Sequence, residues 1–351
     1  MAVEKINIEK FLLLAKQYPM IDVRSPSEFN HAHIPSAHSL PLFMDEERAV
    51  VGTAYKQESR EKAIKLGLNF FGPKMNLLLE KVEKIILEQS SNSNQSDKII
   101  LVYCWRGGMR SAAVAWLLDL YGYKIFTLAG GYKKFRNYVL ETFQLEYNFQ
   151  ILGGFTGSGK TELLQELEKT GNTIIDLEKI ANHKGSAFGN IGMIDQPSQE
   201  MFENLLAKNL REITIRTKIW IEDESQRIGL INIPNHIWNC MRKSPLCFLE
   251  IDFDERLKHI VKEYGSLDKQ KMIEAINRIQ QRLGGLETKN AIEHLLNNNT
   301  TACFKILLTY YDKWYSRGLN NRKNFNALLT IISCKTVSRL NAGILINAAE
   351  N

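Results

Sequence analysis

Two short loops in this chain carry residues that could do chemistry. Cys104-Trp105-Arg106-Gly107-Gly108-Met109-Arg110-Ser111 places a cysteine at the start of a Gly/Arg loop. Gly154-Phe155-Thr156-Gly157-Ser158-Gly159-Lys160-Thr161 fills every fixed position of the phosphate-binding pattern G-x-x-x-x-G-K-[ST]. A thiol attacks or carries a group only as its thiolate, so its surroundings must favour the anion. A strand end, a Gly-Gly turn and a helix beginning near Arg110 would aim backbone N–H groups at one point, and Arg106 and Arg110 add positive charge. Cys104 then reads as a nucleophile, with Arg106 and Arg110 holding an anionic donor or adduct. The competing readings are a small packed cysteine and an Arg110 that only braces the loop.

The second loop implies a bound diphosphate or polyphosphate. Backbone N–H groups of 156–161 surround phosphate oxygens at a helix N-terminus, Lys160 reaches a terminal phosphate, and Thr161 is the usual Mg²⁺ contact. The diphosphate-binding set is therefore Gly154, Gly157, Ser158, Gly159, Lys160 and Thr161. Ile219-Trp220-Ile221-Glu222-Asp223-Glu224 is an apolar run ending in acids. Glu222 and Asp223 are candidate metal ligands beside Thr161 or, equally, helix caps; Asp176 is a weaker candidate. No Asn-Lys-x-Asp guanine-recognition motif occurs, the nearest stretch being Thr288-Lys289-Asn290-Ala291, which argues against a GTPase.

These loops need elements to hold them. Met20–Arg24, Lys98–Tyr103 and Ile125–Leu128 read as strands, with a capping box at Ser25–Glu28, a helix over Ser111–Tyr121 and a Pro-punctuated turn at His33–Pro41. Residues 44–88 read as helical, interrupted at Gly67 and at Gly72-Pro73. Ser90–Asp97 is a polar low-complexity loop. Strands alternating with helices predict an α/β domain with a parallel sheet, its sites beyond the strand C-termini. A second α/β unit begins near Phe149. Its expected strands are Gln150–Gly153, Asn172–Leu177, Lys218–Ile221 and Leu246–Ile251, with a helix over Lys160–Lys169 and helices from Asp268 to Arg317. The last 25 residues carry no assignable pattern.

The 351 residues suit two domains, expected at 1–140 and 148–351. The chain is 44% hydrophobic and 24% charged, contains no apolar run of 18 residues and opens without a signal-peptide pattern, so a cytoplasmic location is expected. Five cysteines at unrelated spacings form neither a disulfide framework nor a zinc pattern; Cys240, Cys247, Cys303 and Cys334 read as packing residues. A net charge of +6 permits a nucleic-acid partner without requiring one.

Asp22-Val23-Arg24, Glu28, His33-Ile34-Pro35-Ser36-Ala37, the Cys104 loop and Leu128-Ala129-Gly130-Gly131-Tyr132 fall in the order found in the rhodanese family, which the first half resembles. Cys104 to Arg110 is C-x5-R, one residue longer than the usual sulfurtransferase loop and closer to dual-specificity phosphatases. A rhodanese-like unit followed by a P-loop unit resembles the tRNA 2-selenouridine synthase family. Further likeness lies in Glu47–Gln57, Leu66–Lys74, Asn182–Gly189, Gln196–Gln199, Glu222–Gly229, Arg282–Gly285 and Tyr310–Asp312, so that it covers about residues 10–318. Lys313 departs from the family's usual proline, and the final segment does not match. The implied fold is an N-terminal rhodanese-like parallel-sheet domain followed by a P-loop NTPase-like α/β domain with a helical C-terminal part.

The resemblance implies a two-step change at the wobble 2-thiouridine of certain tRNAs. Geranyl diphosphate alkylates the sulfur to S-geranyl-2-thiouridine, and selenium from selenophosphate then replaces it, with Cys104 carrying selenium as an S-selanyl adduct. The anticodon loop would lie across the face between the two domains, with Lys133, Lys134, Arg136, Lys184, Arg211, Arg216 and Arg227 as candidate phosphate contacts or solvated surface charges. His183 would contact substrate or serve a structural hydrogen bond. Tyr55, Trp105 and Tyr132 would stack on a base, line a prenyl pocket or pack in the core. The alternatives are a small-molecule thiol sulfurtransferase or C-x5-R phosphatase with the P-loop as a regulatory nucleotide sensor, and a non-catalytic nucleotide-binding adaptor.

Overall fold

The computed structural model describes residues 3–90, 98–214, 216–265, 267–322 and 325–350. Most of the polar loop expected at Ser90–Asp97 therefore lies outside the described residues. The chain divides into two compact units, Met1–Thr142 and Phe143–Asn351.

The first unit is built on a five-stranded sheet in the order β1-β5-β4-β2-β3, with every pairing parallel. The strands are β1 (Glu4–Ile6), β2 (Met20–Asp22), β3 (His38–Ser39), β4 (Ile99–Tyr103) and β5 (Lys124–Leu128). β4 reads Ile-Ile-Leu-Val-Tyr without alternation because helices cover both faces of a parallel sheet, and it is buried from Ile100 onward. The central strand thus ends at Cys104, on the edge where such sheets bind ligands. The capping box forms as read: Ser25 and Glu28 close the start of the helix Pro26–His31.

The helical stretch corrects one expectation. It breaks at Ser59, whose side chain caps the helix Arg60–Phe71 through Lys62 N–H, and again at the turn Gly72–Lys74 before the helix Met75–Ser90. Gly67 lies inside the helix rather than interrupting it. A β-carbon there would sit 3.2 Å from the Phe43 ring, so close packing accounts for the glycine.

The second unit has its own all-parallel sheet, ordered β12-β11-β6-β8-β7. Its strands are β6 (Asn148–Gly154), β7 (Thr173–Ile175), β8 (Lys218–Glu222), β11 (Leu246–Ile251) and β12 (Leu329–Cys334). A short antiparallel pair, β9 (Arg227–Ile228) and β10 (Ile231–Asn232), stands apart. β7 is shorter than expected because Asp176 leaves the strand to cap the helix Leu177–Ala181 through Lys179 N–H, at 2.8 Å. The central β6 runs into the phosphate loop and the helix Lys160–Lys169.

Residues 268–317 form the helices Lys269–Arg278, Gln280–Leu283, Gly285–Leu296 and Thr300–Asn320. They share one apolar cluster around Met272, Ile276, Leu295, Phe304 and Leu307. The tail, unassignable from sequence, supplies β12 beside β11 and the helix Asn341–Glu350, which packs Leu345 with Leu163, Leu167 and Trp220. Cys247, Cys303 and Cys334 are buried free thiols, whereas Cys240 is half-buried. No helix among the described residues is long and apolar enough to cross a membrane.

Candidate active site

The thiol loop is shaped by two glycines that admit no side chain. Gly107 has φ +62°, and a β-carbon there would lie 2.4 Å from Leu128 O. Gly131 has φ +58°, and its β-carbon would lie 2.2 Å from Cys104 O. The stretch after β5 therefore clamps the loop after β4, with Tyr132 N–H donating to Cys104 O at 2.8 Å and Lys133 N–H to Trp105 O at 2.9 Å. Cys104 is buried, 3% exposed, at the base of the loop. Gly108 N–H reaches its Sγ at 3.4 Å, and Ser111 Oγ lies 3.2 Å away while also donating to Gly108 O at 3.0 Å.

Arg110 is turned to Glu28, with Nη1–Oε2 at 2.6 Å and Nη2–Oε1 at 3.3 Å. Arg48 joins the same carboxylate at 3.2 Å. Burial alone would raise the Glu28 carboxyl, but the hydrogen bond and charge of Arg110 outweigh it and hold it below its ordinary value. Arg110 thus braces the loop through Glu28, and Arg106 is the exposed guanidinium at its edge. Behind the loop, Arg24 is fully buried. It bonds Asp22 at 2.6 Å and Ala32 O at 2.7 Å and lies 3.8 Å from the Tyr132 ring centre. Tyr132 is therefore core, while Trp105 and Tyr55 are exposed.

The phosphate loop is held from below. Gly157 and Gly159 have φ +82° and +73°, and a β-carbon on either would lie 2.7 Å from Ile260 and Val337 respectively. Arg256 donates to Thr156 O at 3.0 Å while paired with both oxygens of Asp312, at 2.9 and 2.7 Å. Lys160 Nζ folds back on Gly154 O at 3.0 Å. Ser158 Oγ is buried without a partner.

The acids at the end of β8 separate. Asp223 accepts from Tyr315 OH at 2.8 Å and from Arg322 Nη2 at 2.5 Å, so it anchors the helical part. Glu222 instead meets Glu178 and Glu224, with one carboxylate oxygen from each lying within 4.8 Å of the others. Thr161 Oγ1 lies 3.2 Å from Glu178 Oε2. Each of the three carboxyls is pushed up to about 8, first by burial and then by a neighbouring carboxylate. Loop and carboxyls open on one cavity of about 650 Å³, whose remaining wall includes Phe188, Tyr264, Phe304, Leu307, Leu308 and Trp314.

A model of the tRNA 2-selenouridine synthase AAA domain matches residues 147–330, and a rhodanese-like domain model matches residues 9–138. The tRNA 2-selenouridine synthase of Hydrogenovibrio crunogenus is 33% identical across 92% of this chain and 96% of its own. That of a Sulfurovum species is 35% identical over 85% and 87%, and that of Pseudomonas syringae pv. tomato 35% over 78% and 77%. The chain belongs to the tRNA 2-selenouridine synthase family.

As a member of the tRNA 2-selenouridine synthase family the protein is an enzyme, and the relation runs through both units. The phosphatase alternative drew on the C-x5-R loop taken alone. The candidate tRNA contacts differ in their surroundings. Lys133, Lys134, Arg211 and Arg216 are exposed, and Arg136 is half-buried. Arg227 is exposed, with Nε donating to Gly229 O at 3.0 Å. Lys184 pairs with Glu263 at 2.5 Å against the Tyr264 ring and belongs to the cavity wall. His183 is buried with Nδ1 unpartnered, and burial lowers its pKa.

Sequence reasoning passed over Glu178, Glu224 and the aromatic wall. Only the Glu-Asp-Glu run at 222–224 hinted at the carboxyl group, because Glu178 comes from a helix 44 residues earlier in the chain.

Proposed function

We propose that the enzyme converts wobble 2-thiouridine of tRNA to 2-selenouridine through an S-geranyl-2-thiouridine intermediate, using geranyl diphosphate and then selenophosphate. The observation that carries this reading is a cavity of the second unit that both kinds of wall share. The phosphate loop and an aromatic and aliphatic wall both line it, which suits a diphosphate joined to an apolar chain.

In the first step the thiouridine sulfur attacks the allylic carbon, the carbon–oxygen bond breaks, and N3 of the base gives up its proton. Negative charge grows on the departing diphosphate, which the N–H groups of the phosphate loop and Lys160, on leaving Gly154 O, would stabilise. Mg²⁺, when bound, supplies a Lewis acid for the same charge. Thr161 and Glu222 offer the hard oxygen donors it prefers, beside Glu178 and Glu224. Phe304, Leu307 and Leu308 exclude water from the reacting carbon.

Alkylated sulfur leaves far more readily than a thiocarbonyl, so the first step prepares C2 for selenium. In the second step selenium bonds to C2 and the C2–S bond breaks to release geranylthiol, while the donor's phosphorus–selenium bond is hydrolysed to phosphate. Cys104 lies at the loop that receives this donor. Arg106 stands exposed at the same loop for the donor's phosphate, and Arg110 serves there on leaving Glu28. Lys133, Lys134, Arg136, Arg211, Arg216 and Arg227 are the proposed contacts to tRNA phosphates.

The test supplies 2-thiouridine-containing tRNA, geranyl diphosphate, selenophosphate and Mg²⁺, with nucleosides then read by mass spectrometry. Wild-type protein should yield both modified nucleosides. Lys160→Ala should leave 2-thiouridine unchanged, while Cys104→Ala should accumulate the geranylated form. Unchanged 2-thiouridine with wild-type protein that binds the tRNA would refute the reading.

A further inference from the structure

We propose that Glu178, Glu222 and Glu224 form a divalent-cation site that fills before the diphosphate arrives. The usual phosphate loop offers a cation one hydroxyl and an acid acting through water, so the metal enters with the phosphates. Here three carboxylates from two stretches of chain converge: Glu178 on the helix Leu177–Ala181, and Glu222 and Glu224 at and just beyond the end of β8. Thr161 Oγ1 stands 3.2 Å from Glu178.

Two observations point to an occupant. Glu222 is 1% exposed and its Oε1 has no hydrogen-bond partner, while one of its carboxylate oxygens lies within 4.8 Å of an oxygen of Glu178 and of Glu224. A buried acceptor left unsatisfied is costly, and an ion would satisfy it. Gly185, with φ +65°, closes the group with bare backbone. A β-carbon there would lie 2.7 Å from Glu224 Oε2 and 2.9 Å from Glu178 Oε1. That approach leaves no room on its side for a neutralising Lys or Arg. The nearby cation is Lys160, whose Nζ donates to Gly154 O and whose single charge acts on all three carboxyls without outweighing their burial and mutual repulsion.

A set of oxygen donors at this separation suits Mg²⁺ or Mn²⁺. Asp223 is not a member, being held by Tyr315 and Arg322. The order of filling rests on the diphosphate reading above; the choice of ligands rests on this geometry alone.

Mn²⁺ titrated into the full-length protein without diphosphate, with free Mn²⁺ read by electron paramagnetic resonance, decides it. Wild type should bind one Mn²⁺ per chain, and its Tm should rise over that in EDTA. Glu178→Gln and Glu224→Gln should each weaken binding by about tenfold or more, and Gly185→Ala should weaken it as well. The glutamines keep size and relieve like-charge crowding, so both variants should melt in EDTA no lower than wild type.

Binding that appears only after pyrophosphate is added, or that survives unchanged in both glutamine variants, would overturn the proposal. So would a wild-type Tm indifferent to Mn²⁺, whatever the variants do. The two readings fail separately. Mn²⁺ binding without geranyl transfer keeps the cation site and sinks the substrate assignment, and geranyl transfer without diphosphate-free Mn²⁺ binding does the reverse.

Discussion

At Glu28 three guanidinium and backbone partners meet one carboxylate: Arg110, Arg48 and the Ser25 N–H at 3.2 Å. Its pKa is depressed in the folded state, so folding is favoured most above the ordinary carboxylate value. That contribution is lost as pH falls through the folded value. Glu28→Gln should cost roughly 1.5–3 kcal/mol at pH 7, the range for hydrogen bonds to charged groups. The Tm gap between variant and wild type should narrow as pH falls below the ordinary carboxylate range. A gap that persists in acid would mean that shape rather than charge holds the loop. Glu28 was legible from sequence as a cap and as part of the rhodanese-like order; its bond to Arg110, 82 residues away, depends on the sheet bringing β4 beside β2.

The elements around each loop act as clamps, and the clamp on Cys104 is the start of the helix Gly131–Thr142. Gly131→Ala would force a methyl to 2.2 Å from Cys104 O at a left-handed backbone angle. Selenation should then fall by about tenfold or more, as misplacement of a catalytic group predicts. On the proposed route geranylation should continue, and far-UV circular dichroism should remain unchanged. Equal loss of both steps would show a wider collapse. Strands and helices here were legible where hydrophobic period and caps agreed, as in Lys160–Lys169 and Leu246–Ile251. Gly67 misled because a helix tolerates glycine where a neighbour such as Phe43 needs the space.

For the whole molecule, the tail is structural. β12 pairs along its length with β11, and Ile332, Cys334, Ala342 and Leu345 enter the core beneath the phosphate loop's helix. Deleting residues 329–351 should uncover the β11 edge and that apolar face. Limited proteolysis should then cut within the second unit while leaving a resistant fragment of about the first. A resistant second unit would refute this role.

The two loops were legible in the sequence alone, because a thiol loop and a phosphate loop are contiguous stretches recognised by residue type and spacing. Tertiary structure decided the rest. Arg110 faces Glu28, Asp223 supports Tyr315 and Arg322, and Glu178 joins Glu222 and Glu224 beside an apolar wall. Each of these depends on segments far apart in the chain meeting across a sheet or a helix packing, which no local pattern of residues encodes.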